Sequence, residues 1–255
     1  MTRKIFVRRH AGTGSKKTLD VFVHRFETVM LAALIITAGI VFFSQIQIMD
    51  IKIALNNISG ASASKAYSSS ADLSGVNVSQ VSSTAMAIAA VFPELKNAKT
   101  EQDVMNIMLP SGTPEYSELL GGITFDDPVN SLNYLAKWYY SLKNEIKQND
   151  PQIWQRYLNL AAAPRGISCE FCCGVGPQGI DAQGNLRCGC RHNPALQAVA
   201  LGLMKYTDYS DAKILREVMK WKTVFFPKNM ISLGFQVAGQ DPSQIKNLPG
   251  MVGGC

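Results

Sequence analysis

Apolar residues follow different rules along different parts of this chain. From Thr28 to Met49, 22 residues carry no charge, with a strongly apolar core from Val29 to Phe43. At about 1.5 Å per residue a helix of that length spans the roughly 30 Å hydrocarbon layer of a membrane. The run is longer than the apolar region of a cleaved signal peptide, about 7 to 15 residues, and starts further from the N-terminus. An uncleaved anchor is therefore expected over 28–49, in preference to a cleaved leader or a buried soluble helix. From Ser59 to Ser83 the chain is instead rich in Ser, Ala and Gly. Such a segment buries too little apolar surface to offset its ordering entropy and is expected to form a flexible stalk, taken here as 50–85.

Beyond the stalk the apolar positions recur at helical spacing. A weak amphipathic stretch runs from Met86 to Asn97, and a short helix is predicted from about Thr100 to Leu109, ahead of Pro110. After Asp127-Pro128 the set Leu132, Leu135, Ala136, Tyr139, Leu142 and Ile146 marks a long helix, and after Asp150-Pro151 so do Ile153, Trp154, Tyr157, Leu158 and Ala161. Asn193-Pro194 precedes Leu196, Val199, Ala200, Leu203 and Met204. Each Asp-Pro or Asn-Pro pair joins a capping side chain to proline at the first helical position. Ser210 is placed to cap a further helix carrying Ile214, Leu215, Val218, Trp221 and Phe225, ended by Pro227. Trp138, Tyr139, Tyr140, Trp154, Tyr157, Trp221, Phe225 and Phe226 fall on these helices and are expected in the core, not around a cofactor. The fold class predicted is mainly α: a transmembrane helix, a stalk, and a small helical bundle over 86–255 with a cysteine-rich hairpin or loop at 169–192.

Charge fixes the orientation. Seven of the 25 basic residues but only two of the 19 acidic ones precede Thr28, leaving 18 and 17 in the rest of the chain. The sequence pI of about 9.0 thus describes the tail 1–27, and the nearly neutral remainder offers no basic surface for nucleic acid. The positive-inside tendency places Arg3 to Arg25 in the cytoplasm and everything after Asp50 outside, a single-pass arrangement in the cell membrane with the lipid bilayer as first partner. All six cysteines then lie outside. Asn57-Ile-Ser59 and Asn77-Val-Ser79 fit the glycosylation acceptor pattern, which has meaning only on that side. Glu27 at the head of the apolar run is reminiscent of pilins, but the glycine of their cleavage site is missing.

The candidate chemistry is concentrated between Ile167 and His192, which hold five cysteines and a histidine. Cys169 and Cys172 form a C-x2-C knuckle with Cys173 adjacent, and Cys188 and Cys190 form a C-x-C knuckle with His192 two residues on. The Gly- and Pro-rich segment between them, with a turn at Asp181 to Asn185, is expected to fold back as a hairpin and bring the knuckles together. Turn-held pairs of thiolates suit a tetrahedral ion at about 2.0 to 2.3 Å. Cys169, Cys172, Cys188 and Cys190 are the primary metal candidates, with Cys173, His192 and Cys255 as secondary ones. The helix start after Cys190 and His192 favours thiolate there. Zinc and copper(I) both suit such donors.

The competing reading is oxidation, since six cysteines outside the cell make up to three disulfides in fifteen connectivities. Cross-pairing between the knuckles is reasonable, pairing within them is strained, and mixed use of metal and disulfide is also open. Haem is not expected, because Cys173 stands where C-x-x-C-H needs histidine. A thioredoxin-like centre lacks its helix, as glycines and Pro177 follow almost at once. A Cys190 and His192 nucleophile lacks an orienting group. Leu248 to Cys255 is read as an arm, either reaching back to the cluster or ending in an incidental thiol.

Met108 to Pro114, Ile167 to Gly174, Cys188 to His192, Tyr209 to Val218 and Phe225 to Met230 together carry a resemblance. Over about 109–230 the chain resembles a group of membrane-anchored prokaryotic proteins of archaeal type with paired cysteine knuckles, whose function is not established. It is also weakly similar to secreted PCYCGC-motif proteins, through Cys188-Gly-Cys190, His192 and the Ser210 helix. Leu186-Arg187 replace the Pro-Cys-Tyr of that motif, so the resemblance carries ligand roles to Cys188, Cys190 and His192 alone. The leading expectation is an extracytoplasmic metal-binding module. The alternatives are a disulfide-stapled surface protein that binds a cell-envelope partner, and, last, an envelope thiol oxidoreductase. No motif names a substrate.

Overall fold

A computed structural model of the chain describes residues 71–245 and 248–254. The anchor 28–49, the basic tail 1–27, most of the stalk, and Cys255 lie outside the described residues. No described helix is long and apolar enough to cross a membrane.

The described residues form eight α-helices: α1 Thr84–Val91, α2 Glu101–Met108, α3 Pro128–Asn149, α4 Pro151–Ala161, α5 Glu170–Cys173, α6 His192–Tyr206, α7 Asp211–Phe225 and α8 Pro227–Val237. Extended structure among them amounts to two isolated bridges, Ile167 with Gln178 and Ile180 with Leu186. The mainly helical class read from the spacing is what the described residues adopt.

Helix α6 is the axis of the bundle. Every residue from His192 to Met204 is buried, so its apolar stripe has widened into a full circumference, as in a helix surrounded on all sides. The long α3 lies along it, with α4 and α7 beside it, while α1 packs on α7 and α8 and α2 packs on α8. Each surrounding helix turns its apolar positions inward: Leu135, Tyr139 and Ile146 of α3, Tyr157 and Leu160 of α4, and Leu215, Trp221 and Phe225 of α7 are all buried.

The helix starts follow the predicted chemistry unevenly. Asp127 caps α3 by accepting from the Asn130 amide at 3.3 Å, and Ser210 caps α7 by accepting from the Lys213 amide at 3.3 Å. Thr100 and Asp103 cap α2 reciprocally. Asp150 occupies the cap position of α4 without a side-chain bond. Asn193 differs from the prediction: it lies in the first turn of α6, after Arg191 at the cap position, because its amide is drawn to carbonyls of the cysteine hairpin. Pro227 does more than end α7, since it opens α8.

Two further differences concern burial. The segment read as stalk is already packed at its end, with Leu73, Val81 and Thr84 buried and Ser83 capping α1. Among the aromatics assigned to the core, Tyr139, Tyr157, Trp221, Phe225 and Phe226 are buried, Trp138 and Trp154 are half-buried, and Tyr140 is 53% exposed. Tyr140 follows Tyr139 directly, and a helix cannot turn two successive side chains to the same face.

The cysteine hairpin has little ladder of its own, so docking holds it. Asn193 donates to the Gly179 carbonyl at 2.8 Å and to the Cys188 carbonyl at 3.1 Å, and Gln197 donates to the Ile167 carbonyl at 2.7 Å. Gly179 sits so tightly on these groups that a Cβ there would lie closer than 3.0 Å to the Ile167 carbonyl and to both amide side chains. Gly179→Ala is expected to destabilise the fold by about 1 to 3 kcal/mol through forced displacement of well-packed atoms. Urea unfolding checks it, and a cost near zero would mean that the hairpin is not seated this closely.

Candidate metal centre

The cluster is assembled by one helical turn and one hairpin. In α5 the C-x-x-C-C spacing places Cys169, Cys172 and Cys173 at i, i+3 and i+4, which is one face of a helix. Cys169 stands at the cap position, and its carbonyl accepts from the Cys172 amide at 3.0 Å. Gly174, at φ +66°, ends the turn in a left-handed conformation. The hairpin then reverses at Asp181, whose carboxylate accepts from the amides of Gln183 and Asn185 at 2.9 and 2.8 Å. It returns the chain through Arg187, which donates to the Gly179 carbonyl at 2.9 Å, and delivers Cys188 and Cys190 opposite the turn.

The thiols of Cys169, Cys172, Cys173 and Cys190 all lie within 4.8 Å of one another. The Sγ atoms of Cys172 and Cys190 are 3.3 Å apart, those of Cys172 and Cys173 3.4 Å, and those of Cys169 and Cys173 3.8 Å. Tetrahedral bonds of about 2.3 Å place sulfurs roughly 3.8 Å apart, so small rotations about χ1 separate these thiols into a coordination shell. Four cysteines are thus positioned to hold a metal ion. Three of the four primary candidates, Cys169, Cys172 and Cys190, belong to this group, together with Cys173. Cys188 is paired with Cys173 in a disulfide whose Cα atoms are 6.7 Å apart. Cys173 is shared between the two arrangements.

Protons are distributed unequally over the cluster. Cys169 is buried, and its hydrogen bond to Cys190, followed by burial itself, pushes its pKa up. The same hydrogen bond pulls the Cys190 thiol down against burial, helped by the Asn193 amide at the start of α6. Cys190 is therefore the thiolate of the pair, as its place before α6 suggests.

His192 is fully buried against the rings of Phe225 and Phe226, whose centroids lie 5.6 and 4.8 Å away. Its Nε2 is 2.7 Å from the Val252 carbonyl, which can only accept, so Nε2 carries the hydrogen. Its Nδ1 is buried with no hydrogen-bond partner. The arm bearing Val252 is fixed by the Val252 amide on the Phe225 carbonyl at 2.9 Å and by Arg191 on the Gly253 carbonyl at 2.9 Å.

Sequence reasoning missed the floor of the site. Lys222 of α7 is completely buried and donates to the Gly166 carbonyl at 2.7 Å, to Glu170 Oε1 at 2.6 Å and to Thr84 Oγ1 at 3.1 Å. Thr84 in turn donates to Glu170. Burial holds the Lys222 amine down to about 8, with Glu170 and then Cys169 pulling the other way. A cation that interacts with Cys169 reduces the cost of placing thiolate charge in the interior. The available signal was positional, since Lys222 stands four residues after Val218 on the apolar face of α7.

Compared with protein-family models, with curated proteins and with solved structures, the chain matches none.

A lysine in the unfolded chain keeps its proton to 10.5, while Lys222 in the fold releases it near 8. Between those values the unfolded state binds more protons, so the contribution of Lys222 to stability rises with pH across that window. The unfolding free energy of the wild type minus that of Lys222→Met is expected to grow by about 2 to 3 kcal/mol from pH 7.5 to pH 10. Parallel denaturation curves at a series of pH values check this, and a constant difference would show that residue 222 keeps its proton throughout.

Proposed function

We propose that the chain is a membrane-anchored metal-binding module, with a thiolate site for one soft or borderline ion, zinc or copper(I), formed by Cys169, Cys172, Cys190 and, in the reduced chain, Cys173. The convergence of four thiols within 4.8 Å carries this reading. Supporting it are the thiolate-favouring surroundings of Cys190 and the buried Lys222, which offsets negative charge on the donors. The charge-free run 28–49 and the basic residues before it support attachment to the cell membrane with the site on the outer side. A second reading, a disulfide-stapled surface domain without metal, draws on the Cys173 to Cys188 pairing.

The full-length chain, prepared under reducing and under oxidising conditions, is to be analysed for metal by elemental mass spectrometry and for thiols by intact mass. The reduced chain is expected to hold close to one equivalent of ion. Cys169→Ser and Cys190→Ser should each weaken binding by more than about tenfold, while Cys188→Ser, outside the cluster, should retain it. Metal-free protein in both states, with its thiols fully oxidised as prepared, would sink the proposal and leave the stapled surface domain.

A further inference from the structure

Cys173 cannot serve two partners at once. In the disulfide with Cys188 its sulfur has no thiolate to offer, and the site is left with Cys169, Cys172 and Cys190. Three thiolates alone leave a tetrahedral ion one donor short.

We propose that His192 Nδ1 is the fourth donor in that oxidised chain, giving a three-cysteine, one-histidine site in place of the four-cysteine site of the reduced chain. The inference rests on the metal-binding reading above and adds to it a nitrogen ligand and a dependence on redox state. Three observations carry it. The Nδ1 atom is the sole buried side-chain nitrogen or oxygen among the described residues without a hydrogen-bond partner, and such an orphan is costly unless something occupies it. The opposite ring nitrogen is committed to the Val252 carbonyl, which fixes the tautomer that leaves the Nδ1 lone pair bare. Metal-ligating histidines are usually oriented by such a bond from the other ring N–H to a carbonyl. Finally, His192 stands two residues after Cys190, one of the three remaining donors, and both belong to the short segment entering α6.

Closure of the disulfide breaks the bond from the ion to the Cys173 thiolate, joins that sulfur to the Cys188 sulfur in one S–S bond, and passes two electrons and the Cys188 proton to an oxidant. A low-molecular-weight disulfide is sufficient, being reduced to two thiols with a second proton taken from solvent. The ion itself changes neither charge nor oxidation state if it is zinc. What changes is the donor set, from four sulfurs to three sulfurs and a nitrogen.

The test is X-ray absorption at the zinc edge on the full-length chain loaded with zinc alone, in the reduced state and with the Cys173 to Cys188 bridge confirmed by peptide mapping. The reduced chain is expected to show four sulfur neighbours, and the oxidised chain three sulfurs with one nitrogen and the outer-shell scattering of an imidazole. His192→Gln is expected to lower zinc affinity more than about tenfold in the oxidised chain and to leave the reduced chain within about twofold. If that variant fails to fold, the two wild-type spectra still decide. An oxidised chain that binds zinc without imidazole, or that releases zinc while the reduced chain retains it, overturns the role of His192 and leaves the metal site standing. A chain that binds zinc in neither state overturns both.

Discussion

The need to satisfy backbone carbonyls drawn into the interior governs this structure. The cysteine hairpin enters the bundle with a single antiparallel bridge, so most of its polar groups find no partner in a ladder. Two amide side chains of α6 take over that role. Asn193 holds Gly179 and Cys188, and Gln197 holds Ile167 while receiving the hydroxyl of Tyr157 at 2.9 Å. An unsatisfied buried carbonyl costs on the order of 1 to 3 kcal/mol, so these bonds decide where the hairpin can sit. The position of Cys188 and Cys190 relative to α5 follows from them. The geometry of the sulfurs is therefore set by residues that touch no sulfur through their side chains.

Charge imposes the second condition. Lys222 would be prohibitive in an apolar interior by itself, and it is tolerated because a carbonyl, a hydroxyl and a carboxylate converge on it. Those partners come from α1, from the turn at Gly166 and from α5. The network that keeps the amine in place thereby fastens the helical turn bearing Cys169, Cys172 and Cys173 to α1 and α7.

The helices were legible in the sequence because their signals are local. Period and caps marked α3, α4 and α7 to within a residue or two, and the Asp181 turn announced the hairpin. Asn193 was misplaced because capping logic weighs only the backbone amides that follow, whereas this side chain is claimed by carbonyls from the preceding hairpin. The sulfur cluster was legible as a region, but the part played by Cys173 required reading i, i+3 and i+4 as one face within a single turn. Glu170, Thr84 and Val252 could not be found that way. Their partners lie 52, 138 and 60 residues distant along the chain, and no local pattern encodes such pairs.

Those separations also bear on how the molecule comes to its final form. The contact between Thr84 and Lys222 closes a loop of most of the described chain, and contacts of that span are reached late in folding. Until Lys222 meets Glu170, 52 residues away, the turn at Cys169 lacks its floor, and the packing that seats Cys172 and Cys173 is not yet made. Early collapse is thus the interval in which wrong bridges form most readily, and the yield of correctly joined protein is set by how fast distant helices meet relative to how fast thiols oxidise.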